Sequence, residues 1–256
     1  MKNVIESIGI YTLIGMITGI LTGITGSSGV IVVVPAMTFL GHSFHIAVGT
    51  SLLVDVITTA SVVYVYTKGK KIDWRIGLIL GGGALLGAQI GSHVAIFISD
   101  RPLEIVFTSM ALLMAWQSFK RARHGLNLRH RSFPHPYILG FIISLPIGIM
   151  TGTLGTSGGI MFIAVMMILY TMDPKTMVGT ATLSMFVSAI SGTAGYVVLN
   201  SIDLIGGIII GSVSLVSGFY FAKKALGMKD STIYYFLGSV FLAVSILESI
   251  TILTAV

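Results

Sequence analysis

TGITGSSG, residues 22–29, interrupts what otherwise reads as one long apolar helix. It places Gly23, Gly26 and Gly29 among Thr22, Thr25, Ser27 and Ser28. Glycine weakens a helix, and Ser and Thr compete for backbone hydrogen bonds. Inside a bilayer there is no water to take up the freed backbone groups. The stretch is therefore either a packing device or a deliberate break.

Length separates the two. The Gly-rich region around it, 8–40, runs 33 residues. That is about 50 Å as helix, against a hydrocarbon core of about 30 Å. One straight helix is too long and two full helices would be short. A broken or re-entrant helical hairpin fits, with the Gly/Ser/Thr stretch at the break. A second such region spans 136–170.

The rest of the chain fixes the class. It is 54% hydrophobic and only 9% charged, against roughly 25% charged for a soluble domain. Its mean hydropathy is +0.97. Simple spans are expected at about 44–66, 75–98, 103–120, 176–198, 204–222 and 232–254. This is an all-α polytopic membrane protein. The absence of cysteine removes disulfides, thiolate metal sites and thiol catalysis. The N-terminus, MKNVIESIGIY, shows no cleavage site and reads as the start of the first span. The net charge of +6 is a topological signal here, not a nucleic-acid one.

The chain also repeats itself. Gly19, Thr22, Gly23, Gly26, Ser28 and Gly29 match Gly148, Thr151, Gly152, Gly155, Ser157 and Gly158 at an offset of 129. VGTS at 48–51 matches VGTA at 178–181, and Ile72-Asp73 matches Ile202-Asp203, both at 130. Two related membrane repeats follow, 1–125 and 136–256, joined by a basic cytoplasmic linker at 126–135.

Basic residues set the orientation. If each Gly-rich region enters and leaves on one side, 13 of the 15 Lys and Arg residues fall in the cytoplasm, leaving Lys2 and Arg101 outside. If each crosses once, 10 fall inside and 5 outside. The positive-inside rule selects the first arrangement. Each half then has three full crossings, an odd number, so the second half is inverted relative to the first. Both termini are expected to be external. Inverted repeats with broken helices are a transporter architecture, with the substrate near the midplane.

The breaks carry the chemistry. A half-helix start presents free N–H groups and the positive end of a dipole, which suits an anion. Thr22, Gly23, Thr25, Gly26, Ser27, Ser28 and Gly29 are expected to face Thr151, Gly152, Gly155, Thr156, Ser157, Gly158 and Gly159 around one small anion. The bland reading of any one of these glycines is helix packing. Thr50, Ser51 and Thr180 lie near the starts of the following spans, as further donors or as helix caps. Asp55, Gln89 and His93 are polar groups inside spans and candidates for coupling or gating. Asp55 matches Met185 and so stands outside the repeat symmetry. Glu248 is expected to snorkel at a span end. His42 and His45 have HxxH spacing but no third ligand, so no metal is expected, and no cofactor. No nucleotide-hydrolysis motif appears, so transport is secondary or facilitated. The linker sets topology, with anionic membrane lipid as its alternative partner. A homodimer stays open.

The whole pattern resembles the TauE/SafE sulfite-exporter family. The cues are GMITGILTGITGSSGVIVVVPAM, GIMTGTLGTSGGIMFIAVM, the VGT-containing helix after each, GGGALLGAQIGSHVA and the basic linker. Pro35 follows the first break where Ala164 follows the second, and Gly158-Gly159 replaces Gly29-Val30. The resemblance implies transport, most simply export, of sulfite or an organosulfonate across the cytoplasmic membrane. From the residues alone the expectation is a small-anion transporter working by alternating access. A passive anion channel is the rival. An intramembrane enzyme would need His93 and Asp55 to act as a pair.

Overall fold

The computed structural model describes residues 2–124, 134–155, 158–170 and 172–229, with further positions between 231 and 249. Nine helices are assigned among them: α1 (Lys2–Thr25), α2 (Val30–Phe39), α3 (Phe44–Lys68), α4 (Trp74–Ala95), α5 (Asp100–His124), α6 (Pro136–Leu154), α7 (Gly159–Leu169), α8 (Pro174–Val198) and α9 (Leu204–Ala225). Six of these, α1, α3, α4, α6, α8 and α9, are long and apolar enough to cross a membrane. The chain is an all-α polytopic membrane protein. Most of the expected span at 232–254, Glu248 included, and most of the basic linker lie outside the described residues.

Both Gly-rich regions are broken where the glycines and hydroxyls cluster. The pieces are unequal. In the first, 24 residues of α1 (about 36 Å) precede 10 residues of α2 (about 15 Å). In the second, 19 residues of α6 precede 11 of α7. Each region is thus a long helix and a short returning one, not two equal halves.

The returns are pinned at their open ends. The Tyr11 hydroxyl on α1 lies 3.4 Å from His42 Nε2, just past α2. The Tyr170 hydroxyl at the end of α7 donates to the Pro136 carbonyl at the start of α6, 2.9 Å away. The two hairpins open at opposite ends of the molecule. Tyr11 also donates to Asp203 at the start of α9, and Phe44 N donates to Asp100. At the other end Lys71 pairs with Asp173 at 3.1 Å, and the Arg75 guanidinium lies 4.2 Å over the Tyr137 ring.

Four of the spans start on residues that make good caps. Ser43, Asp73, Asp173 and Asp203 accept from the N–H of Ile46, Ile76, Thr176 and Gly206. Each capping oxygen satisfies one of the donors a helix start leaves free. Glycines then bring helices together. Gly15, Gly19 and Gly23 of α1 lie against the backbone of α9, and Gly83, Gly87 and Gly91 of α4 against α6. Any side chain there would strike main-chain atoms of the neighbouring helix, the usual logic of small residues in membrane interfaces.

Candidate functional site

The two breaks meet in the buried interior. A Cβ added at Gly159, the first residue of α7, would lie 2.5 Å from the Gly26 carbonyl oxygen and 3.1 Å from Ser27 Cα. One added at Gly155 would lie 2.8 Å from Val30, the first residue of α2, and 3.1 Å from Ser51 Oγ. Residues 21–31 are all buried. Gly26 (φ +63°) and Gly155 (φ +65°) are left-handed, which reverses the chain after each long helix.

The first break is polar throughout. Thr25 Oγ1 donates to the Leu21 carbonyl and bonds Ser27 Oγ at 2.8 Å. Ser28 Oγ donates to Asp55 Oδ2 and accepts from Val30 N at 3.0 Å. Gly29 N donates to Asp55 Oδ1 at 2.9 Å. The Asp55 carboxylate, fully buried and carried by α3, therefore caps the start of α2. A buried carboxylate is tolerable only with such partners, and the helix dipole favours it at this end.

The second break is built differently. Gly158 precedes α7, and among the described residues no side chain caps it. Thr156 and Ser157 lie outside the described residues. Where Gly29 packs against Thr18 and Asp55, Gly158 packs against Ile147 and Gly159 against Met185. The repeat positions correspond, and among the described residues the buried carboxylate cap is found at the first break.

Other candidates separate by environment. Gly23 and Gly152 are helix contacts, on Gly218 and Ala222 of α9 and on Ala88 and Ser92 of α4. Thr151 donates to the Ile147 carbonyl, and Ser51 to that of Val48. Thr50 and Thr180 do matching work at a distance from the breaks. Thr50 Oγ1 accepts from Asp203 N and Thr180 Oγ1 from Asp73 N, both at 2.9 Å. Gln89 and His93 lie on the exposed face of α4, where His93 Nδ1 contacts the Gln89 carbonyl at 2.8 Å. The structure does not bring them to the breaks. His42 and His45 are engaged separately, His42 with Tyr11 and His45 with Asp100 and the Ala95 carbonyl.

One residue at the break escaped the repeat comparison. Thr18 packs against Gly29, and its hydroxyl, like that of Thr22, is buried with no hydrogen-bond partner among the described residues. The signal was the i, i+4 spacing of Thr18 and Thr22, which puts them on one helix face.

Comparison with known proteins places the chain among membrane transporters. The family model described as sulfite exporter TauE/SafE matches residues 11–247. The chain is 26% identical over 238 residues to the probable membrane transporter protein YunE of Bacillus subtilis (strain 168), covering 84% of this chain and 85% of that one. It is 28% identical over 200 residues to the probable membrane transporter protein YdhB of the same organism, covering 75% and 80%. No solved structure matches. The chain belongs to the TauE/SafE sulfite exporter family, whose members are membrane transporters rather than enzymes.

Proposed function

We propose that the chain is a secondary transporter that exports a small sulfur-containing anion, such as sulfite or an organosulfonate, across the cytoplasmic membrane. The observation that carries this is the meeting of the two breaks, with Gly159 seated against Gly26 and Ser27. Two half-helix starts converge there, and their N–H groups and dipoles favour negative charge. The family's description supports sulfite as the substrate class.

The two repeats are inverted copies that rock around this point, opening it to one face and then the other. The opposed hairpins support that arrangement, as do the matched bonds of Thr50 to Asp203 and Thr180 to Asp73. The end that carries Lys71, Arg75, Lys175, Lys223 and Lys224 faces the cytoplasm under the positive-inside rule. The N-terminus is then external.

Counterflow in proteoliposomes tests the proposal. Labelled sulfite, sulfate, thiosulfate and small sulfonates would be offered in turn. A carrier gives saturable uptake that is accelerated by unlabelled anion on the other side. Flux that rises linearly and ignores the opposite side would reject alternating access in favour of a channel.

A further inference from the structure

Asp55 lies at mid-length of α3, with Phe44 and Lys68 at the helix ends. Its two carboxylate oxygens accept from Gly29 N and Ser28 Oγ. It therefore occupies the start of α2 as a bound anion would. The fold does not demand this, because the matching position in the second repeat is Met185. A second observation points to a ligand at the same place. The Thr18 and Thr22 hydroxyls are 0% exposed and have no partner among the described residues, although Thr25 on the same helix bonds back to the Leu21 carbonyl. Thr18 packs directly on Gly29. Thr18 thus sets a buried, unpartnered threonine against a helix start already filled by the protein's own carboxylate, and Thr22 lies one turn further along the same face of α1.

We propose that Asp55 is a tethered, protonatable stand-in for the substrate anion, and that each anion is carried with one proton. This rests on the proposed anion site at the breaks. Ionised, Asp55 holds the donors of Ser28 and Gly29. A proton from water bonds to one of its carboxylate oxygens, and those donors pass to the incoming anion. Thr18 and Thr22 complete the set. For a monoanion the net charge at the site is the same before and after. Two neighbouring negative charges in a low-dielectric interior are strongly disfavoured, which makes the exchange obligatory. The titratable positions of the elements packed on α3 are Lys2, Glu6 and Tyr11 on α1, Asp100, Arg101, Glu104, Lys120, Arg121, Arg123 and His124 on α5, Lys175 and Tyr196 on α8, and Asp203, Tyr220, Lys223 and Lys224 at or on α9, with His45, Tyr64, Tyr66 and Lys68 on α3 itself. Among the described residues, α2 carries none.

The test uses the full-length protein in detergent with methanesulfonate, sulfate and thiosulfate, whose charges stay fixed between about pH 5 and pH 8. Wild type binds more tightly as pH falls, by up to roughly tenfold per unit. Asp55→Asn, a neutral isostere, binds with the acid-pH affinity at both extremes. Binding to wild type at neutral pH also takes up about one proton per anion, read with an indicator dye in weak buffer. That measurement needs no variant to fold. Wild-type pH dependence in Asp55→Asn, or binding without proton uptake, overturns the proton role and leaves the anion site standing. Failure of wild type to bind any of the three at either pH removes the anion site, and this proposal with it.

Discussion

Gly26 and Gly155 each hold a positive φ in a space that cannot take a methyl group. At Gly26 an added Cβ would lie 2.6 Å from Val178 and 2.9 Å from Thr182. Alanine there combines left-handed strain with overpacking, for a loss of about 1–3 kcal/mol. We expect Gly26→Ala and Gly155→Ala to lower the melting temperature in detergent, where Gly41→Ala, with positive φ but open space, costs less. An unchanged melting temperature would show that the break relaxes freely. Both glycines were legible because the repeat aligned them. Thr18 was not, because its packing on Gly29 spans a reversal of the chain. The lack of repeat symmetry at Asp55 was visible as Met185, but its capping of α2 required the fold.

The sequence marked helix starts better than helix ends. Ser43, Asp73, Asp173 and Asp203 are short polar residues before apolar runs, and all four cap. The hairpin pieces were harder to size, since hydropathy runs evenly through α1 and α2. Thr50 and Thr180 show the same limit. Position alone left them between substrate donor and helix cap, and the structure gives each a cross-repeat partner. Thr50→Val leaves the Asp203 N–H without its acceptor, at a cost of about 1–3 kcal/mol. Thr180→Val does the same to Asp73. Each variant should unfold earlier in a chemical-denaturation series, with anion affinity retained in the folded fraction. Loss of affinity without loss of stability would assign these hydroxyls to the substrate instead.

At the scale of the molecule, the basic groups collect where α3, α8 and α9 meet the loops. Asp173 sits there. Burial opposes its ionisation, but bonds from Thr176 and Lys71 outweigh this and hold its carboxyl below the ordinary range. A depressed folded value means the stabilisation is present above the unfolded pKa of about 3.9 and is lost as pH falls through the folded one. Asp173→Asn keeps the cap and removes the charge. Its melting temperature should trail wild type slightly at pH 7, as befits an exposed pair, and the gap should close in acid. A gap that persists in acid would point to the cap instead. Orientation in the membrane has its own check. A tag on the N-terminus should be reached by a membrane-impermeant label from outside the cell, and protection of that tag would reverse the assignment of the basic end to the cytoplasm.

The central claim is that the paired breaks are the anion site, and the absence of native cysteine makes it directly measurable. Ser27→Cys would place one thiol in the first break, beside Gly159. Its modification by a small permeant thiol reagent in proteoliposomes should slow as sulfite or a sulfonate is added, and modified protein should stop transporting. Modification at the same rate with and without anion, with transport intact afterwards, would contradict the account.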